Sequence, residues 1–207
     1  RRYRFGQQPA IGQWNLMQLA NALLPLIDES EPLEHALMAY AGNYESSWQN
    51  MMAAKLGLAE YSATLTNDLL KVLTVIETDM TLFFRGLANV DLADPEGWQA
   101  LTDAYYQEAQ ITPAYVEQLK GWLHAYKLEL QRQNRAERSK LMNATNPKFV
   151  LRNYLAQLAI DEVEAGSTDL LNRIMHVFRQ PYDEHPQHSD LAAKRPEWAR
   201  TRVGCSM

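Results

Sequence analysis

The sequence predicts an all-helical fold, and three observations carry that prediction. Apolar residues recur at helical spacing through most of the 207 positions, runs with the alternation of a strand are almost absent, and prolines fall where helices begin or end. With 46% hydrophobic residues, the chain can bury a sizeable core. It lacks internal repeats and sustained heptads. We therefore expect an irregular multi-helix domain and not a solenoid or a plain four-helix bundle.

The first half of the chain holds four predicted helices after an irregular opening. Residues 1–10 combine arginines, aromatics and a Gln-Gln-Pro sequence without helical periodicity. Ser30-Glu31-Pro32 marks a helix start, Gly57 marks a stop, and Asp79 is the predicted N-cap of a short helix. The predicted helices cover residues 11–24, 32–55, 67–77 and 79–87.

Start and stop residues divide the second half in the same way. Asp94-Pro95-Glu96 and Thr112-Pro113 each combine a cap with a first-turn proline, and Asn134 to Glu137 matches the spacing of a capping box. Asn146-Pro147 ends one helix and Gly166 ends the next. Helices are predicted from residue 113, from the capping box at residues 134–137, over 149–164 and over 167–179. The predicted domain covers 11–180, and the polar residues 181–207 are predicted to form a partly ordered tail.

Composition narrows the classes of function. The net charge is −5 and the 20 Lys and Arg are dispersed among 25 acids, which argues against a nucleic-acid partner. The longest apolar run, residues 16–27, is too short to span a bilayer, so no membrane partner is expected. The single cysteine, Cys205, excludes an internal disulfide and fits a reducing compartment. We expect a soluble cytoplasmic protein.

Motifs of self-sufficient enzymes are missing. No nucleotide-binding glycine motif, nucleophile elbow or HExxH sequence occurs. His185 and His188 have a spacing that suits a metal, but the proline between them opposes a helical geometry that would aim both rings at one point. Three acids, Asp161, Glu162 and Glu164, point in different directions on a helix and predict a solvated face. We expect no metal site and no catalytic residue in this chain.

Two stretches suggest more than packing. One is the opening segment, and the other is NPKFVLRN, residues 146–153. A buried Arg152 would need carboxylate or carbonyl partners, so it either pins a neighbouring loop or meets an anion. The residues favour the first alternative without excluding the second.

Both stretches resemble a known family. RYRFGQQPAIGQWNLMQLA and NPKFVLRNYLAQLAI are similar to two signature blocks of the selenoprotein O family, the kinase-like protein adenylyltransferases. The segment RQPYD, residues 179–183, and the last four residues also look similar, and the match runs in order along the whole chain. Two departures are Arg1, where the family block has glycine, and Cys205, to which no redox role is transferred.

The resemblance implies a fold and an activity. The fold would be the C-terminal lobe of a kinase-like enzyme, of bacterial type, with an added helical extension. The activity would be transfer of AMP from ATP to protein Ser, Thr or Tyr hydroxyls, with ATP and Mg or Mn as cofactors of the full-length parent. None of these cofactors is expected to bind this chain alone. The first block lies just downstream of the family's metal-binding motif, so the catalytic residues would lie upstream and this chain alone would be inactive.

The resemblance also assigns roles to residues. Arg2, Tyr3, Gln8 and Pro9 would line or brace the active-site floor as part of an activation-segment-like stretch, with the pre-proline Gln8 in an extended conformation. Trp14 and Asn15 would be scaffold residues, and the second signature contributes Asn146, Pro147, Arg152 and Asn153. The expected partners are the upstream kinase-like half of the same protein and protein substrates.

Two other interpretations remain open. The chain could be a free-standing helical interaction module without catalysis, which predicts a polar exterior and a monodisperse protein. A part of a larger domain instead predicts an exposed hydrophobic face. A self-contained enzyme that uses Arg152 and the tail histidines is the least favoured interpretation.

Overall fold

A computed structural model describes residues 4–27, 29–133 and 137–202. Over these ranges the chain forms helices joined by loops, and the only β-type pairing is an isolated antiparallel bridge between Thr78 and Tyr105. The all-α prediction is confirmed. The α-helices are α1 (Gln8–Ile27), α2 (Glu31–Lys55), α3 (Ala63–Val75), α4 (Met80–Leu87), α5 (Pro113–Arg132), α6 (Arg138–Thr145), α7 (Asn153–Glu164), α8 (Asp169–Val177) and α9 (Ala199–Arg202). Short 3-10 helices cover Phe5–Gln7, Gly97–Ala104, Glu108–Gln110 and Pro186–Ala192.

Capping side chains set several helix starts. The Asp79 carboxylate accepts from Leu82 N at 3.1 Å, as predicted for the N-cap of α4. Thr112 likewise caps α5 with Pro113 in the first turn. Ser62 caps α3, which therefore begins four residues before the predicted position 67. Of the predicted capping box, residues 134–136 lie outside the described residues.

The starts of α1 and α7 also differ from the prediction. Helix α1 begins at Gln8 and not at residue 11, so Gln8 is helical and not extended, and Pro9 lies in the first turn, where a proline is tolerated. Helix α7 begins at Asn153 and not at residue 149. The amides of Lys148 and Phe149 both donate to Pro181 O, at 2.9 and 3.1 Å, so this tertiary contact holds them outside a helix.

The chain divides into two compact units, with the boundary after Met51, inside α2. The first unit contains α1 and most of α2. None of its described residues is buried, because every buried residue of the described chain lies at or beyond Met52. The second unit therefore carries the hydrophobic core.

Aromatic residues organise the core of the second unit around α3 and α5. The rings of Trp122 and Tyr126 stack with centroids 5.1 Å apart. Trp122 Nε1 donates to Leu65 O at 2.9 Å, and the Tyr126 hydroxyl donates to Leu56 O at 2.5 Å. A second buried cluster joins α7, α8 and the segment that follows α8. Polar groups of the aromatic residues thus satisfy backbone carbonyls inside the core.

The polar C-terminal segment forms hydrogen bonds and an ion pair with the rest of the second unit. Lys194 Nζ donates to Tyr105 O at 2.6 Å, and the Tyr154 hydroxyl donates to Ala193 O at 3.1 Å. Arg195 forms an ion pair with Glu77 at 2.9 Å. Residues 181–202 thus carry two short helices and several tertiary contacts, while residues 203–207 lie outside the described part.

Among the described residues, no helix combines the length and the apolar character needed to cross a bilayer.

Candidate functional site

Helix α1, which carries the first signature block, is apolar around most of its circumference but has no buried residue. Trp14 is 43% exposed, Leu19 55% and Leu26 80%. A helix that is hydrophobic on all sides normally lies inside a domain. Helix α1 is therefore shaped for a burial that the described chain does not provide.

One close contact joins the start of α1 to α2. The Tyr40 hydroxyl donates to Pro9 O at 3.1 Å, and the contact is partly buried. Gly12 leaves the space for it, because a Cβ at this position would lie 2.7 Å from the Tyr40 hydroxyl oxygen. The glycine of the signature thus has a steric reason, and Tyr40 is a contributor that the sequence reasoning missed. A glycine inside an otherwise regular helical pattern was the available signal.

The second signature begins with a turn that hydrogen-bonds to both α2 and α4. Asn146 is buried and its Nδ2 donates to Lys55 O at 2.8 Å. Arg85 of α4 donates from Nη1 to the carbonyls of Asn143 and Asn146, at 2.8 and 2.9 Å. Pro147 follows this turn. The Asn-Pro sequence therefore ends α6 at a point where α4 and the end of α2 hold the backbone.

Arg152 lies at the centre of the second signature and is buried against a carboxylate. Its Nη2 is 2.7 Å from Asp79 Oδ2, and the two side chains are only 5% and 3% exposed. The Tyr106 hydroxyl donates to the same oxygen at 3.0 Å. Burial, and secondarily the neighbouring Asp79 charge, raise the pKa of Tyr106 above its ordinary value, so this hydroxyl remains a donor.

The pair links two elements that are distant in sequence. Asp79 is the N-cap of α4 and Arg152 is the residue before α7, so one ion pair fixes both helix starts. Arg152 Nε and Nη1 are buried without a hydrogen-bond partner. Of the two alternatives for Arg152, the structure shows the pinned loop. Arg152 was expected to need carboxylate or carbonyl partners, and the partner that the structure shows is the carboxylate of Asp79.

Both tail histidines, His185 and His188, lie near a third histidine, His176 of α8. The ring of His176 lies 5.9 Å from the rings of both His185 and His188. His185 Nε2 is 3.1 Å from Gln180 O, and this residue adopts a left-handed conformation with φ of 38°. Even so, the described residues contain no group of three or more His, Cys, Asp or Glu side chains arranged to hold a metal ion. The side chains of the described part therefore do not fit a magnesium ion.

The acid cluster on α7 serves local structure. Glu162 accepts from the Ser167 hydroxyl at 2.7 Å and from Leu170 N at 3.1 Å. Both hydrogen bonds lower the pKa of Glu162, and the one from the Leu170 backbone has the larger effect. Asp161 accepts from Gln157 at 2.7 Å. Glu162 thus stabilises the turn between α7 and α8.

The predicted site residues fall in different places. Gln8, Pro9, Trp14 and Asn15 all lie on α1 in the first unit. The residues of the second signature lie in the second unit, where Asn146 and Arg152 attach to the two ends of α4 and Asn153 opens α7. Arg2 and Tyr3 lie outside the described residues.

The fold and these contacts define a helical scaffold in which residues of both signatures fix loops and helix starts. The chain belongs to the family of protein adenylyltransferase SelO, whose family model matches residues 1–179. This confirms the resemblance and makes the chain a member of a nucleotidyltransferase family.

Similar proteins carry the name protein nucleotidyltransferase YdiU. The one from Aromatoleum aromaticum is 47% identical, the one from Rhodopirellula baltica 43% and the one from Flavobacterium johnsoniae 40%, each over all of this chain. The chain spans 40 to 42% of the length of these relatives.

Proposed function

We propose that this chain is the C-terminal helical part of a kinase-like enzyme that transfers AMP from ATP to Ser, Thr or Tyr hydroxyls of proteins. The observation that carries the proposal is α1. It holds the larger part of the first block that resembles the family, is apolar nearly all round and has no buried residue. Relatives about two and a half times as long offer a natural partner for this helix, namely the remaining part of the same polypeptide.

In this proposal the chain supplies positions and not reacting groups. Phosphoryl and nucleotidyl transfer depend chiefly on aligning the acceptor with the phosphate and on neutralising charge with metal ions and basic groups. ATP and Mg or Mn bind to the upstream half. Residues 1–10, with Arg2, Tyr3, Gln8 and Pro9, brace the floor on which the acceptor hydroxyl approaches, and Trp14 and Asn15 anchor that floor.

A direct test compares this chain with the complete protein. With ATP labelled on the α-phosphate, magnesium and a mixture of candidate proteins, we expect AMP transfer by the complete protein and none by this chain alone. Transfer by the chain alone would refute the division of labour. A complete protein that transfers no nucleotide would refute the activity itself.

A second test addresses the docking of α1. Leu19→Ser removes an apolar side chain that is 55% exposed here. It should leave the stability of this chain nearly unchanged but destabilise the complete protein by about 2–5 kcal/mol, the range for truncation of a buried leucine. Equal, small effects in both proteins would favour a free-standing interaction module.

Arg2 tests the proposed active-site floor. In the complete protein, Arg2→Ala should reduce AMP transfer well beyond any loss of stability, because the arginine is proposed to act on positioning and charge. A folded variant with unchanged transfer would contradict this role.

A further inference from the structure

We infer that Tyr40 is a positioning residue for the proposed transfer reaction: its hydroxyl latches the start of α1 and so fixes the segment of residues 4–8 that leads into the helix. The inference rests on the proposed function only for its catalytic consequence. The latch itself consists of three groups within the first unit, the Tyr40 hydroxyl, Pro9 O and the bare Cα of Gly12.

The geometry of the latch makes it specific. Residues 9 and 12 are one helical turn apart and share a face of α1. The Tyr40 hydroxyl reaches Pro9 O at 3.1 Å by passing over Gly12. A Cβ on residue 12 would lie 2.7 Å from the hydroxyl oxygen, closer than real Cβ contacts allow, but 3.5 Å from ring carbon Cζ, which is ordinary contact. The hydroxyl, and not the ring, therefore excludes a side chain at position 12.

The cost of the glycine supports a specific role. Glycine in a helix interior is destabilising relative to alanine, because it loses more backbone freedom on folding. The described part of the first unit has no buried residue to compensate for this loss. Among the described residues, the Tyr40 side chain is the group that a Cβ at position 12 would meet within 4 Å.

The place of the latch determines its consequence. Pro9 is the second residue of α1, so its carbonyl marks the point where the segment of residues 4–8 turns into the helix. Holding this carbonyl fixes the direction in which the preceding residues leave the helix. A small misplacement of a positioning segment can reduce a reaction rate severely without removing any reacting group.

The neighbouring Tyr44 provides a matched control. Its ring lies 6.4 Å from that of Tyr40 at an angle of 24°, on the same helix and one turn further along. It is 41% exposed and does not contact Gly12 in the space that a Cβ would occupy. Tyr44→Phe therefore removes a hydroxyl from the same surface without touching the latch.

The experiment is a double-mutant cycle in the complete protein. Tyr40→Phe removes the hydrogen bond, and Gly12→Ala displaces the hydroxyl by steric contact. Each should lower kcat for AMP transfer about fivefold, the fold-change that corresponds to one neutral hydrogen bond, with the KM for ATP unchanged. The double variant should be no worse than Tyr40→Phe alone, because both changes break the same bond and Phe leaves room for the new Cβ. Tyr44→Phe should retain the full rate.

Two outcomes overturn the inference: wild-type kcat in the Tyr40→Phe protein, or losses that multiply in the double variant. Amide hydrogen exchange over residues 4–12 gives a readout that does not depend on activity. Exchange there should be faster in Tyr40→Phe than in Tyr44→Phe, and equal rates would refute the latch. If the wild-type complete protein transfers no AMP, the proposed function fails, while the exchange measurement still decides whether the latch exists.

Discussion

The Arg152–Asp79 pair makes a sharp prediction about stability. Replacing Arg152 by Met keeps an unbranched side chain of similar length but removes the charge that faces the buried carboxylate. Asp79 would keep Leu82 N and the Tyr106 hydroxyl as donors, yet its charge would have no counterion in a site from which water is excluded. Breaking one side of a buried pair costs about 3–5 kcal/mol. We expect the lower end, about 3 kcal/mol, because two donors remain.

The chain contains a closely matched control for this substitution. Arg173 Nη2 lies 2.7 Å from Asp190 Oδ2, the same distance as in the buried pair, but these side chains are 41% and 59% exposed. Arg173→Met should therefore cost no more than about 1 kcal/mol. The two substitutions differ mainly in burial.

Urea unfolding of each variant, followed by far-UV circular dichroism at pH 7, measures the free energies of unfolding. The reasoning requires Arg152→Met to be clearly more destabilising than Arg173→Met. If the two losses agreed within about 1 kcal/mol, burial would not be what gives the Arg152 pair its strength. Asp79→Asn should also be costly, because it leaves the buried guanidinium without a charged partner.

Three further predictions concern the second unit. Tyr126→Phe should lower the free energy of unfolding by about 1–3 kcal/mol, because it leaves the buried Leu56 carbonyl without its donor; denaturant titration checks this. Gly57→Ala should destabilise the protein by more than about 1 kcal/mol, because φ is +66° and the new Cβ would lie 2.8 Å from a side chain. Gly121→Ala should be neutral or stabilising, because nothing lies within 4 Å of the position that its Cβ would take. Thermal unfolding of the two variants measures this difference. Hydrogen bonds from Lys148, and to a smaller extent from Arg85, lower the pKa of Glu184. The ionised carboxylate therefore stabilises the folded state at neutral pH, and this stabilisation is lost as the pH falls through the lowered pKa. The difference in Tm between wild type and Glu184→Gln should therefore shrink from pH 7 to pH 3. Because the Glu184 side chain is 63% exposed, its ion pairs contribute at most about 1 kcal/mol to the free energy of unfolding. A Tm difference that stays constant with pH would contradict this linkage.

Local patterns predicted those features that depend on neighbours in sequence. The helical class, the caps at Asp79 and Thr112, and the stops at Gly57 and Gly166 follow from backbone preferences that act within one or two turns. The family was also evident from the sequence, because two blocks of side chains match it in order. Helix starts were less certain, and the start of α7 shifted because a distant carbonyl holds the preceding amides.

The tertiary structure decided what the signature residues touch. The sequence indicated that Arg152 needs a carboxylate or carbonyl partner, but only the tertiary structure selected Asp79, which is 73 residues away. Likewise, only the tertiary structure gave a reason for the glycine at position 12, because α2 brings the Tyr40 hydroxyl over it. Contacts of this kind depend on how helices are placed in space, and helical periodicity specifies which face is apolar but not which partner covers it.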